Sequence, residues 1–286
     1  MKGDRLVQDL GKRGVLEYSL VPALQKRAIE MLQDGDVPFG AVVAIEPSTG
    51  RVLTYAQYSA EEPGLTQVPV MANPPAASVF KLVTAAALVE HNVTPETRVC
   101  YHGGHRGLTA KNLVDDPIKD NKCQTLAEAL GHSTNQIFGK LASQHLSPAM
   151  LSDYAKAFRF NQPIPFEVPI ETSQATFEAD PLEFARTAAG FYNTHLSPMH
   201  AALIASAIAN NGVMMTPHLV ERHRLGDQVL YEASPVSLGR VVKESTAKVL
   251  SDMMVHTTTE GTARAYFSNR DEVMDSVQIA AKTGSL

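Results

Sequence analysis

A chain of 286 residues with 44% hydrophobic content can bury a real core and fits one domain, or two closely joined subdomains, without requiring a second independent one. The formal net charge of -5 is mild, and like charges cluster only in pairs such as Glu61-Glu62 and Asp115-Asp116, which excludes nucleic acid as a partner and a polyacidic surface as a feature. No run approaches the roughly 18 to 20 apolar residues of a membrane span, and the opening MKGDRLVQDL is charged where an export leader is apolar, so membrane attachment or export is expected only through a segment absent from this chain.

Taken in chain order, residues 21–34 (VPALQKRAIEMLQD) repeat apolar groups at three and four spacing and predict an amphipathic helix. Residues 40–45 (GAVVAI) form a β-branched apolar run, Pro47-Ser48-Thr49-Gly50 supplies turn chemistry, and 51–58 predicts the returning strand of a hairpin. After a loop rich in Pro and Gly, a helix is expected from Ser78 to about Glu90. Most of the next stretch reads as helices joined by polar loops, with helices expected over 134–145, 148–158, 181–189, 198–210 and 244–258. Strand character returns at 276–283 (SVQIAAKT), whose tip carries Lys282. The expected order is sheet, long helical insertion, sheet: a sheet subdomain over about 15–75 and 260–286, a helical subdomain over about 78–258, and an α/β (α+β) class overall.

Cys100 and Cys123 are the only cysteines, which permits one disulfide or two buried thiols and rules out a four-cysteine zinc site. His102 and His105, in YHGGH, have Gly-Gly between them and no obvious acidic third ligand, so they read as loop histidines, and no metal or cofactor is expected. There is no G-x-x-x-x-G-K-[ST] phosphate loop.

Three short motifs carry chemistry: Ser78-Val79-Phe80-Lys81, Ser133-Thr134-Asn135 and Lys282-Thr283-Gly284. Each is weak alone, since S-x-x-K or S-x-N arises by chance roughly once in such a chain and K-T-G in about one such chain in fifteen. Ser245-Thr246-Ala247-Lys248 also fits S-x-x-K, but no S-x-N separates it from Lys282 and it reads as the start of a surface helix. Ser78 instead opens an apolar helix, with the whole helical stretch between it and the terminal strand. On a helix, residues three apart come within hydrogen-bond reach. A serine hydroxyl needs a base, and a lysine serves only with a lowered pKa, which burial beside Phe80, Leu82 and Val83 and the charge of Lys282 would both provide. An isolated match has a blander reading as a helix-capping serine and a surface lysine. Ser133 is expected on a loop between helices, relaying a proton, with the Asn135 amide binding a peptide; a helix cap is the alternative. Lys282, Thr283 and Gly284 would form an edge along which an extended peptide pairs, Thr283 meeting its carboxylate, and the backbone N–H groups of Ser78 and Ser285 would form an oxyanion hole.

The three motifs together resemble those of the transpeptidase domains of penicillin-binding proteins, and the resemblance runs along nearly the whole chain. Residues 21–33 look like the family's leading helix, GAVVAIEPSTGRVL like its first hairpin, and PPAASVFKLVTAAALVE like its nucleophile helix. AAGFYNTHLSPMHAALIASAIANNG resembles the segment before the active-site strand region, and Glu260-Gly261-Thr262-Ala263 the G-T-A signature. The resemblance implies an antiparallel sheet flanked by helices, a location outside the cytoplasmic membrane of a bacterium, and other cell-wall synthesis proteins as partners. It implies that Ser78 attacks the carbonyl between two D-alanines of a peptidoglycan stem peptide, and that the acyl group passes to an amine on a neighbouring stem. Transfer to water would instead make a carboxypeptidase, and β-lactams would acylate Ser78 slowly reversibly. Whether Lys81 alone is the base, or Ser133 takes part, stays open at this level. A β-lactamase lacks support, because no extra carboxylate motif is found, and a non-catalytic β-lactam sensor or scaffold is the reading from another class. In the family the K-T-G strand is followed by two further strands and a closing helix. Their sequence is not found after Gly284, so the last sheet strands are expected to be missing and this polypeptide alone to be poorly active or inactive.

Overall fold

The computed structural model describes residues 5–103, 107–268 and 276–285. The chain divides into two compact units, one of residues 1–74, 162–173 and 196–240 and the other of 75–161, 174–195 and 241–286.

In the first unit, Pro at the first turn starts the helix Pro22–Asp34 after an extended Val21. The strands Gly40–Ile45 and Val52–Tyr58 pair antiparallel from Gly40↔Tyr58 to Ile45↔Val52, as their apolar runs and intervening turn predict. Gly50 closes that turn at φ +82°, and a side chain there would meet the Thr216 carbonyl oxygen at 2.1 Å, so both the backbone and the space demand glycine. The helix Pro198–Ala209 begins where the Ser197 side chain accepts from the His200 N–H. An antiparallel sheet in the order Val7–Asp9, Val15–Tyr18, Val220–Leu225, Gln228–Glu232 lies in this unit, and Val213–Met215 pairs with Ser237–Arg240. The stretch 213–240 was expected to be helix and polar loop and is instead four strands. Every residue of Gln228–Glu232 is exposed, so no buried face imposes an apolar alternation for the sequence to display.

The second unit is mainly helical. The turn Ala77–Phe80 is 3-10 and runs directly into the helix Lys81–Glu90. That helix is buried from Lys81 to Leu88 and packs against the helices Asn135–His145, Pro148–Ala157 and Glu244–Thr259. Phe80 anchors its start by an edge-to-face contact with Phe160, the ring centroids 5.3 Å apart. Thr125 and Glu128 form a reciprocal capping box at the start of helix Leu126–His132, and Asp180 caps Pro181–Ala188. Arg98–Tyr101 and Lys122–Thr125 form a hairpin in which Cys100 and Cys123 are directly opposed and disulfide-bonded.

The terminal strand expected over 276–283 does not form. A strand needs a neighbour with which to exchange backbone bonds. Residues 276–285 lie instead against helix Glu244–Thr259, with the Ala281 N–H donating to the Met254 carbonyl at 3.2 Å and the Thr258 hydroxyl to the Ile279 carbonyl at 2.7 Å. Among the described residues no helix is long and apolar enough to cross a membrane, and no group of three or more His, Cys, Asp or Glu is placed to hold a metal ion. His102 pairs with Asp120, and His105 lies outside the described residues.

Candidate active site

The second unit brings residues of all three motifs together. Lys81, in the first turn of its helix, has no exposed surface. Its amine donates to Ser78 Oγ at 2.8 Å, to Asn135 Oδ1 at 2.7 Å and to the Ala189 carbonyl at 2.6 Å. None of these acceptors is a carboxylate, and Nζ lies over the Phe138 ring, 5.7 Å from its centroid. Burial, and then the charge of Lys282, hold the Lys81 amine well below the ordinary lysine range. The isolated-match reading of Ser78 and Lys81 requires a surface lysine, and this one is enclosed. The other S-x-x-K shows the contrast, because Ser245 and Lys248 are both exposed and Lys248 pairs with Asp252 at 3.0 Å.

Ser133 ends helix Leu126–His132 in the left-handed region, at φ 59° and ψ 38°, and helix Asn135–His145 begins two residues later. Ser133 therefore sits on the link between two helices, at the end of the first and not as a cap of the second. The bend turns its hydroxyl to Lys282, whose amine donates to Ser133 Oγ at 3.0 Å and to the Thr283 carbonyl at 2.9 Å. Thr134 donates to Gln124 Oε1 at 2.7 Å, which ties the middle residue of the motif to the disulfide-bonded hairpin. Burial alone lowers the Lys282 pKa to about 7.

Ala77, immediately before Ser78, is also left-handed, at φ 47°. Two non-glycine residues in this region, each costing about 1 kcal/mol or more, flank one cluster of side chains. Gly190 explains how the chain tolerates the first: a side chain there would meet the Ala77 carbonyl oxygen at 2.0 Å, and its own φ is +89°. The same segment, Ala188-Ala189-Gly190, accepts from Thr84 Oγ1 at 2.7 Å and from Lys81. It touches the site although none of the three motifs contains it, since a carbonyl oxygen leaves no trace in residue type; only the resemblance of the segment beginning AAGFYNTH pointed to this region. Gly284 lies beside the Ser78 turn, where a side chain would come within 3.4 Å of Val79 and 3.5 Å of Ala77. Thr283 Oγ1 is 2.6 Å from Thr262 Oγ1, and Ser285 is exposed at the end of the described segment.

Such a cluster can do acyl chemistry. In its neutral form the Lys81 amine keeps two hydrogens for Asn135 and Ala189 and turns its lone pair to Ser78, so it can accept that hydroxyl proton, while a second amine, a hydroxyl and an amide line the same place. The family model described as "Penicillin binding protein transpeptidase domain" matches residues 40–285. Over 95% of its length the chain is 27% identical to the peptidoglycan D,D-transpeptidase PbpA of Mycolicibacterium smegmatis and 28% identical to that of Mycobacterium tuberculosis, and it spans 60% of the length of each. Among solved structures, penicillin-binding protein A of M. tuberculosis as its ceftriaxone acyl-enzyme superposes with a TM-score of 0.77 at 24% identity, covering 94% of this chain and 66% of that one. The D,D-transpeptidase domain of a peptidoglycan glycosyltransferase from Eggerthella lenta gives 0.77 at 24% identity, covering 94% and 70%. The shared fold is mixed α/β, with helices and antiparallel sheets.

Proposed function

Since the chain belongs to the penicillin-binding protein transpeptidase domain family, we propose that it is a D,D-transpeptidase of peptidoglycan synthesis that works outside the cytoplasmic membrane through a Ser78 acyl-enzyme. One observation carries the reading: a fully buried lysine with no carboxylate partner among the described residues stands 2.8 Å from a serine hydroxyl.

Lys81 in its neutral form takes the Ser78 proton as Oγ attacks the carbonyl between two D-alanines of a stem peptide. The C–O bond forms, charge gathers on the carbonyl oxygen, and the backbone N–H groups of Ser78 and Ser285 stabilise it. The C–N bond then breaks, and the departing D-alanine amine needs a proton, which Ser133 delivers from Lys282 or Lys81. The Asn135 amide holds both Lys81 and the substrate peptide. Lys282 and Thr283 bind the terminal carboxylate, and Gly284 leaves the peptide room to lie close to the backbone. In the second half an amine from a neighbouring stem attacks the ester, and the proton path runs in reverse. A β-lactam with its ring carbonyl and carboxylate at similar spacing enters the same site, as the penicillin G, imipenem and ceftriaxone acyl-enzymes of M. tuberculosis penicillin-binding protein A suggest by analogy.

The test is labelling with fluorescent penicillin. The chain is expected to take one stable label, however slowly it reacts, and Ser78→Ala abolishes it. An unlabelled wild-type chain, or a label that survives in Ser78→Ala, would refute the proposal. Prompt release of the label with turnover of nitrocefin would convert it to a β-lactamase.

A further inference from the structure

Thr262 belongs to none of the three motifs, yet it touches two of the segments that bear them. Its backbone N–H donates to the Gly131 carbonyl at 3.1 Å, two residues before Ser133. Its hydroxyl lies 2.6 Å from the Thr283 hydroxyl and 3.4 Å from that same Gly131 oxygen. The flanking residues keep it there. A side chain on Gly261 would meet the Gly131 oxygen at 2.2 Å, and Ala263 is buried, its N–H donating to the Thr257 carbonyl at 2.9 Å.

A hydroxyl has one hydrogen to give. If Thr262 gave its hydrogen to Gly131, Thr283 would have to donate to Thr262, and its own hydrogen would be spent inside the protein. The 2.6 Å contact is made whichever hydroxyl donates, so the choice turns on where the spare hydrogen goes. In the reverse arrangement the Thr262 hydrogen goes to Thr283 Oγ1 and only the Gly131 contact is given up, which at 3.4 Å is at the limit of a hydrogen bond. A charged acceptor beside Thr283 outweighs that contact and selects this arrangement. Thr283 is left with its own hydrogen free to donate, beside the Lys282 amine. An acceptor that suits one hydroxyl donor next to one ammonium is a carboxylate.

We propose that Thr262 is a positioning residue for carboxylate recognition: by donating to Thr283 it orients the Thr283 O–H outward, towards the carboxylate of the acyl donor. The inference rests on the acyl-transfer reading above and deepens it.

The experiment compares acylation of the full chain by benzylpenicillin and by its methyl ester, followed by intact-protein mass spectrometry, in wild type, Thr262→Val and Thr262→Ser. Thr262→Val keeps the side-chain shape and removes both hydroxyl functions. It is expected to lower the acylation constant for the acid about tenfold, through weaker binding with an unchanged limiting rate, and to leave the ester within about twofold. Thr262→Ser restores the acid's advantage, and Thr262→Val adds little to a Thr283→Val background. A Thr262→Val protein that keeps the wild-type ratio of acid to ester overturns the inference, as does one that loses both probes equally, which would mark a merely structural role. Failure of the wild type to react with either probe would instead overturn the acyl-transfer reading on which the inference stands.

Discussion

Lys81 and Lys140 stand on helices of the same unit, neither has any exposed surface, and each amine makes three hydrogen bonds. Their partners differ. Lys81 meets a hydroxyl, an amide and a carbonyl, all neutral, with a second lysine nearby. Lys140 meets the Cys100 carbonyl at 3.0 Å and two carboxylates, Asp115 at 3.0 Å and Asp120 at 2.8 Å. Burial pushes the Asp120 carboxyl up, but its bonds to Lys140 and His102 outweigh that and hold it well below the usual carboxylate range. Burial by itself therefore does not make a lysine a base. The sign of the groups it is buried with decides whether an enclosed amine is drawn to lose its proton or serves as half of an ion pair.

The contrast can be broken most sharply at Lys81. Lys81→Met is expected to cut acylation by benzylpenicillin by about a hundredfold to ten-thousandfold, the usual worth of a positioned base. Because no carboxylate is left stranded, the variant should melt no lower than wild type. Acylation within about tenfold of wild type would deny the amine its role.

Lys140→Met should do the opposite. It leaves Asp120, with 7% of its side chain exposed, as a buried carboxylate without its cation. A loss of about 3 kcal/mol is expected, seen as a melting point lower by roughly 10 °C. Acylation measured well below that temperature should stay within about threefold. A melting point unchanged from wild type would show that the pair gives no support to the fold.

The finest test concerns charge near neutrality. With its pKa at about 7, Lys282 loses its positive charge as pH rises through that value, and carboxylate binding weakens with it. As that charge disappears, Lys81 also loses part of what keeps its own pKa low. The acylation constant should fall above about pH 7 as carboxylate binding weakens. Lys282→Arg carries a charge that does not titrate there, so the falling limb should vanish. A falling limb that persists in this variant would have to come from another group.

Much of the fold was legible where burial imposes a pattern. The strand Gly40–Ile45 and the helices Pro22–Asp34, Pro181–Ala188 and Glu244–Thr259 begin and end within about two residues of where apolar spacing, proline and polar caps place them. The hairpin Val220–Leu225 and Gln228–Glu232 was not legible, because its outer strand buries nothing, although Gly226-Asp227 is a turn signal that could have been weighed. The terminal segment shows the converse: an apolar run suggests a strand, but a ladder needs a second strand alongside. In the site, Ser78, Lys81, Ser133, Asn135, Lys282, Thr283 and Gly284 stood out by side-chain type. The Ala189 carbonyl that holds Lys81 and the Thr262 hydroxyl that holds Thr283 did not, since one is backbone and the other belongs to a motif whose contacts cannot be inferred from spacing.

The sequence by itself determined which functional groups exist and which lie one helical turn apart, and it did so twice, since Ser78 to Lys81 and Ser245 to Lys248 have the same spacing. Sequence context favoured the first, and the tertiary structure supplied the chemical difference, enclosing one lysine with neutral acceptors and a second cation and leaving the other in solvent beside Asp252. The reason is physical: an amine's proton affinity depends on the charges and solvent around it, and around Lys81 those are supplied by Asn135, Ala189 and Lys282, far from it along the chain.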